Sequence, residues 1–304
     1  MQLVAELERA CARVYIFANS ALDADLRAGF EAPGRRIAII DSPGNVGVGL
    51  ALNRLVERAE ADQFSQIVLF DQDSRLVQDV IATLVVTWRA LSAAGAKPAA
   101  VGPRMAAPRN EGNRYRVPRI FRKTMACSIA NALSVWFLPT SGTLIDIAAF
   151  KAVGGFRSDY FIDGIDLEWC FRAWSAGYSC WLSTGSLILH KVGAGTVKLS
   201  PFGGQTPDQP DFRMATYVRN TIYGFHLRHI PVLWKLKQAL YLPLQIAATW
   251  SARRFNPGYL RCLTCAALSG WRGSLGGPDS LPGIGDWQGG LPERRAPEHR
   301  EGGL

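Results

Sequence analysis

From Phe212 to Pro278 the chain contains no Asp or Glu, although nine Arg and Lys residues fall in the same segment. So one-sided a block suits an anionic partner, either nucleic acid or the inner leaflet of a membrane. A nucleic-acid motif is also missing. The block is instead crowded with Trp234, Leu236, Leu240, Tyr241, Leu242, Leu244, Ile246 and Trp250, a mixture typical of interfacial helices. An apolar run of about twenty residues, which a spanning helix needs, is absent too. The nearest approach, "IPVLWKLKQALYLPLQIAATW", is broken by Lys235, Lys237, Gln238 and Gln245. Polar positions 235, 238, 245 and 249 recur at helical spacing, so the segment reads as an amphipathic helix lying on a surface or packed on a core, with Pro243 kinking it.

Cysteine is scarce. Of six, only Cys262 and Cys265 have C-x-x-C spacing, and no second pair or nearby histidine accompanies them, which argues against a zinc site and for core thiols. No signal peptide opens the sequence and no internal repeat is evident, so a cytoplasmic protein, peripheral on the inner face of the membrane, is expected.

What is present is an alternation. Helical "QLVAELERA", strand "RVYIFA", turn-rich "NSALDADLRAG", strand "RRIAII", helix "GVGLALNRLVERAEA" opened by "SPGNVG", and strand "SQIVLF" follow one another, then a helix near 78–94 and a strand "AAVGP". Such alternation predicts an α/β fold with a mostly parallel sheet covered by helices on both faces, and C-terminal amphipathic helices appended. Ligands of open sheets bind beyond the carboxyl ends of the strands. Asn19, Asn45, Asp71 and Asp73 all sit just past such ends. Arg104 to Lys123, with seven basic residues and one acid, reads as a mobile loop, and the Gly- and Pro-rich stretch beyond about Gly273 as a disordered tail. The expected division is 1–211 as the catalytic domain, 212–273 as a basic helical membrane-association region and 274–304 as tail.

In "FSQIVLFDQDSRL" a short apolar strand delivers Asp71 and Asp73 to one spot, because residues two apart point the same way. Two such acids can be a solvated turn. At the edge of a sheet they can also hold Mg²⁺ or Mn²⁺, ions that complete their shell with substrate phosphates. A second group, "FIDGIDLEWCFR", offers Asp163, Asp166 and Glu168 at the start of a helix, where one acid serves as a cap and another can act as a general base on an attacking hydroxyl. His190, after the strand in "LILHKVG", is a structural histidine or a third metal ligand.

Taken in order, "GNVGVGLALNR", "IVLFDQDS", "SGTLID", "GGFRSDYFIDGIDLEWCFRAWSAGY", "LHKVG" and "YVRNTIY" resemble a bacterial family-2 glycosyltransferase of the rhamnosyltransferase group, from about Val14 to Gly273. The resemblance implies a GT-A-type nucleotide-sugar-binding fold, a divalent metal (Mg²⁺ or Mn²⁺) and inversion at the anomeric carbon. It implies Asp166 as base with Glu168 its acidic neighbour, Asp73 as metal ligand with Asp71 beside it near the ribose or metal, and His190 completing the metal site. Asn45 would lie in the nucleotide-side loop with Asn19 nearby, and Arg219 and Asn220 match a recurrent "RN" on a late helix.

The implied donor is dTDP-L-rhamnose and the implied acceptor a polysaccharide or lipid-linked saccharide. UDP-galactofuranose is the alternative donor, and an inactive truncated paralogue acting as a binding module the alternative function. Two features depart from the family. Its opening strand and Tyr-Asn-type loop are not found ahead of "MQLVAELERA", and Ala18-Asn19 stands where an acid-Asn pair is usual, removing a carboxylate that would accept from a pyrimidine N3–H.

Overall fold

The computed structural model describes residues 2–77, 79–106, 124–129, 131–189, 195–198 and 205–281. Helix α1 (Gln2–Ala10) leads into strand β1 (Val14–Ala18), helix α2 (Ala24–Glu31), strand β2 (Ile37–Asp41), helix α3 (Val48–Ala61) and strand β3 (Gln66–Leu69). Next come β4 (Arg75–Val77), α4 (Val80–Ala93), β5 (Pro98–Ala106), β6 (Thr124–Ile129), β7 (Ala132–Val135), β8 (Thr143–Asp146), α5 (Ile147–Val153), α6 (Ile165–Ser175) and β9 (Ser179–Leu189). The short strands β10 (Gly195–Lys198) and β11 (Gln205–Asp208) precede three helices, α7 (Asp211–Gly224), α8 (Val232–Ala252) and α9 (Pro257–Arg272).

The sheet is mixed rather than mostly parallel. Its main part has the order β3-β8-β5-β9-β7-β6, with β4 on β9, and among the described residues only β5–β9 and the separate pair β1–β2 run parallel. The antiparallel neighbours arise because β8 returns between β3 and β5 while β7 returns against β9. The two-faced architecture does follow the strand period. Ala100 of β5 and Ile145 of β8 face the core under α3, α5 and α6, while the adjacent Val101 and Leu144 face Val80, Leu84 and Leu91 of α4.

Three local readings change. The turn-rich "NSALDADLRAG" contains helix α2, because the Asp23 side chain caps it by accepting from the backbone N–H groups of Asp25 and Leu26. The expected loop from Arg104 begins as the end of β5, and residues 107–123 lie outside the described ones. The expected tail is ordered at its start: Leu281 is buried among Met214, Val218, Tyr259 and Leu263, and Gly276 N–H donates to the Asp159 carbonyl at 2.8 Å. Residues 282–304 lie outside the described ones.

Helix α8 is amphipathic, with most of its polar side turned inward. Gln238, Gln245 and Thr249 are buried, with Gln245 donating to Thr206 Oγ1 and accepting from the Tyr217 hydroxyl, both at 3.0 Å. Val232, Leu233, Leu236, Leu240 and Leu244 are exposed instead. The helix continues across Pro243. It docks through Trp234, which packs edge-on against Phe171 of α6 and Phe137. Among the described residues no helix is long and apolar enough to cross a membrane.

The thiols behave as expected of core residues at Cys170, Cys180 and Cys262, which are buried and free.

Candidate active site

A cavity of about 2450 Å³ opens between the β1–β2 pair and the edge of the main sheet, walled by β1, β3 and the apolar side chains Leu3, Val4 and Leu7 of α1. Its lining includes Asn19, Asn45, Asp71, Asp73, Asp163, Asp166 and Arg213. The structure thus brings six of the predicted acids and amides to one space, and adds Arg213 of α7.

The Asp71-to-Ser74 turn is fixed from outside. Ser141 Oγ accepts the Asp71 N–H at 3.2 Å and lies 2.5 Å from Ser74 Oγ, while Gly142 N–H donates to the Leu69 carbonyl at 2.6 Å. The "SGT" ahead of β8 therefore sets where β3 ends and aims its two carboxylates. Asn19 and Asn45 hold the opposite loop: Asn19 Oδ1 accepts from Val46 N–H at 2.8 Å, and Asn45 Oδ1 from Gly47 N–H at 3.0 Å. Gly47, at φ 82°, is needed there, since a Cβ would stand 2.6 Å from the Phe161 ring and 2.7 Å from its carbonyl oxygen.

Across the cavity the backbone turns sharply before α6. Phe161, Asp163 and Gly164 have φ of 63°, 65° and 80°. Asp163 does not cap α6, whose Ncap is Gly164 without a side-chain bond; it pairs instead with Arg213, Nη2 to Oδ1 at 2.5 Å. Burial nonetheless raises the Asp163 carboxyl above its ordinary value, against the pull of Arg213. Asp166, in the first turn of α6, accepts the Leu167 N–H at 2.8 Å, and burial, aided by the charges of Asp163 and Asp71, pushes it up to about 6. A carboxylate so tuned titrates just below neutrality, the range in which it is basic enough to take a proton and still ionised.

Glu168 sits elsewhere. It is 1% exposed, is not part of the cavity lining, and meets Arg172 through two bonds of 3.0 and 2.9 Å, with His229 Nε2 2.9 Å from Oε1. Two residues beyond Asp166, rather more than half a turn around the same helix, it points into the protein. Its contacts, with Arg172 of the same helix and with His229, are within the protein. Arg172 in turn donates to the carbonyls of Val153 and Gly155, and Trp169 Nε1 to that of Gly154, so the "VGGF" stretch is tied to α6. His190 lies outside the described residues.

Sequence reasoning passed over Arg213 and His229. Both belong to the basic block that was read as a membrane element, where a charge facing inward has no separate signature.

The donor set suits a hard divalent ion. Asp71 and Asp73 both line the cavity, and among the described residues no three His, Cys, Asp or Glu side chains converge closely enough to enclose a metal. An ion such as Mg²⁺ is commonly bound through one or two carboxylates and shared with substrate phosphates.

No family model matches the sequence. The dTDP-rhamnosyl transferase RfbF of Shigella flexneri is 24% identical over 238 residues, which cover 77% of this chain and 75% of that protein. Among solved structures, the mannosyltransferase PcManGT from Pyrobaculum calidifontis, in complex with GDP-Man and Mn²⁺, superposes with a TM-score of 0.51 at 14% identity over 94% of this chain and 82% of that one. GalNAc-T7 with UDP, GalNAc and Mn²⁺ gives a TM-score of 0.47 at 11% identity over 75% of this chain, which spans about half of that protein, 48%. The fold is that of a GT-A glycosyltransferase. The likeness in sequence is to a rhamnosyl transferase, and the likeness in fold is to glycosyltransferases.

Proposed function

We propose that the chain transfers L-rhamnose from dTDP-L-rhamnose, with inversion, to a hydroxyl of a polysaccharide or lipid-linked saccharide. The observation carrying this reading is the placement of Asp166 in one cavity with Asp71 and Asp73, beside the sequence likeness to a dTDP-rhamnosyl transferase. Asp71 and Asp73 would hold Mg²⁺ or Mn²⁺, with His190 as the further ligand; the bound ion would offset charge on the leaving diphosphate. Arg213 lies on the same side and adds a positive charge to that region. Asp166 takes the proton as the acceptor oxygen bonds to the anomeric carbon and the bond from that carbon to the diphosphate oxygen breaks. Asn19 and Asn45 shape the nucleotide side.

Incubation with dTDP-rhamnose or UDP-galactofuranose and a panel of saccharide acceptors tests the donor: release of dTDP, and not UDP, is expected. Asp73→Ala should abolish transfer while leaving the melting temperature within a few degrees, since Asp73 is an exposed residue of a turn. Excess EDTA should do the same to the wild type, and full turnover in EDTA would remove the metal from the scheme.

A second reading, binding of a nucleotide sugar without transfer, is favoured by the fact that β1 and β3 are not hydrogen-bonded to each other and the cavity runs between them. Saturable donor binding without product release under every acceptor would establish it.

The partner surface proposed is the cytoplasmic face of an anionic membrane. Its support is the exposed stripe Val232, Leu233, Leu236, Leu240 and Leu244 on α8, set in a segment of nine positive charges and no acid. Flotation should recover the protein with anionic vesicles and lose it as salt rises, because exposed charges are screened beyond about 10 Å at 0.1 M. Equal recovery with neutral vesicles would show that charge has no part.

A further inference from the structure

Of the side chains that surround the cavity without entering it, two consecutive ones on α7 do something the chemistry above does not yet use. Asn220 is buried, and its Nδ2 reaches the carbonyl oxygens of Tyr160, Ile162 and Asp163 at 3.0, 2.8 and 2.9 Å. Arg219 is wholly buried and also donates to the Tyr160 carbonyl, Nη2 to O at 3.0 Å. Its Nε bonds Asn220 Oδ1 at 3.0 Å, which fixes the amide with its NH₂ towards the turn, and its Nη1 bonds the Gly276 carbonyl at 2.7 Å.

The segment they hold is the one with Phe161 and Asp163 at positive φ, a conformation L side chains rarely adopt and that persists only where surroundings impose it. Its other side is held by Val48, whose N–H donates to the Phe161 carbonyl at 2.6 Å. Two residues after the turn comes Asp166. Among the described residues Arg219 forms no ion pair, so a guanidinium is buried on backbone carbonyls, one amide and the Ser280 hydroxyl, at a cost that an apolar side chain would avoid. Packing alone does not call for such a residue. A turn whose shape must be kept does.

We infer that Arg219 and Asn220 are positioning residues: together they hold the left-handed turn from Tyr160 to Gly164 and thereby aim Asp166 at the acceptor. The inference rests on Asp166 being the base. It makes the helical segment after residue 211 part of the catalytic machinery as well as a surface element.

The test compares Asn220→Ala and the near-isosteric Asn220→Asp with wild type on the full chain with Mn²⁺, using whichever donor the wild type turns over. Transfer per donor-binding site is expected to fall about 10- to 1000-fold with donor affinity changed less than threefold. Amide exchange over residues 161–167 should quicken at least tenfold, a measurement that needs no donor. In an Asp166→Asn background Asn220→Asp should add little, because both losses pass through one group.

Multiplicative losses, or wild-type transfer per site in both variants, would overturn the positioning role. A lowered melting temperature with unchanged transfer per site would reduce the pair to a structural one and overturn it equally. If Asp166→Asn itself transfers at the wild-type rate, the base assignment fails instead.

Discussion

Asp166→Asn is expected to slow transfer by about 10²–10⁴-fold, the usual value of general-base assistance, with donor affinity near wild type and stability at neutral pH increased. The two effects have one cause. Burial raises the Asp166 carboxyl from 3.8 to about 6, so its charged form is disfavoured in the folded protein. For a group whose folded pKa lies above its unfolded one, the stabilising contribution is complete below the unfolded value and drains away as pH rises through the folded value. The window is therefore about pH 4 to 6, and at pH 7 the charge costs up to about 3 kcal/mol at 1.4 kcal/mol per pK unit. Asn carries no charge and keeps an oxygen for the Leu167 N–H that Asp166 now accepts at 2.8 Å. The metal-free variant should melt several degrees above wild type at pH 7.5, with the gap closing towards pH 4. Wild-type transfer should fall at acid pH as Asp166 takes up a proton, and the residual rate of the variant should lack that limb. A variant that transfers at the wild-type rate would leave Asp166 as a half-buried acid without a reaction.

Why the acids of the cavity were legible in the sequence and their supports were not follows from how each is encoded. Asp71 and Asp73 follow a strand and Asp166 opens a helix, so period and element ends place them, and the α/β alternation says which edge they share. Asn19 and Asn45 are at strand and loop ends for the same reason. The sheet directions were not legible, because whether β8 inserts between β3 and β5 depends on loop paths that leave no periodicity. Helix α8 shows the limit most clearly. A polar stripe at 235, 238, 245 and 249 gives a face but not its direction, and here Tyr217 and Thr206 supply buried partners for Gln245, so most of the polar side turns inward. One of the three acids reads as a cap because acids favour a helix start; the left-handed Gly164 takes the Ncap position without a side-chain bond, and Asp163 pairs with Arg213, fifty residues away.

Glu168 gives the largest expected effect on stability. Replacing it by Ala would leave the Arg172 guanidinium and His229 without the buried carboxylate they now face, a change worth about 3–5 kcal/mol when one partner of a buried pair is removed. It would also loosen Arg172 from the carbonyls of Val153 and Gly155. Burial alone would raise the Glu168 carboxyl, but His229 and Arg172 override it and hold the group below its ordinary 4.5. The sign is opposite to that of Asp166. A group with a depressed folded pKa stabilises above its unfolded value and loses that contribution as pH falls through the folded one, so the wild type should weaken below about pH 4.5. Glu168→Gln, which has the shape without the charge, should lack that acid-side loss, and the stability gap between it and wild type should shrink between pH 7 and pH 4 in urea titrations. Transfer per folded molecule should fall far less in Glu168→Gln than in Asp166→Asn, because this carboxylate faces Arg172 and His229 and not the cavity. If Glu168→Gln instead lost as much transfer as Asp166→Asn while keeping full stability, the pair would have to act as one unit on the acceptor, and the buried contacts of Glu168 would be serving the reaction directly.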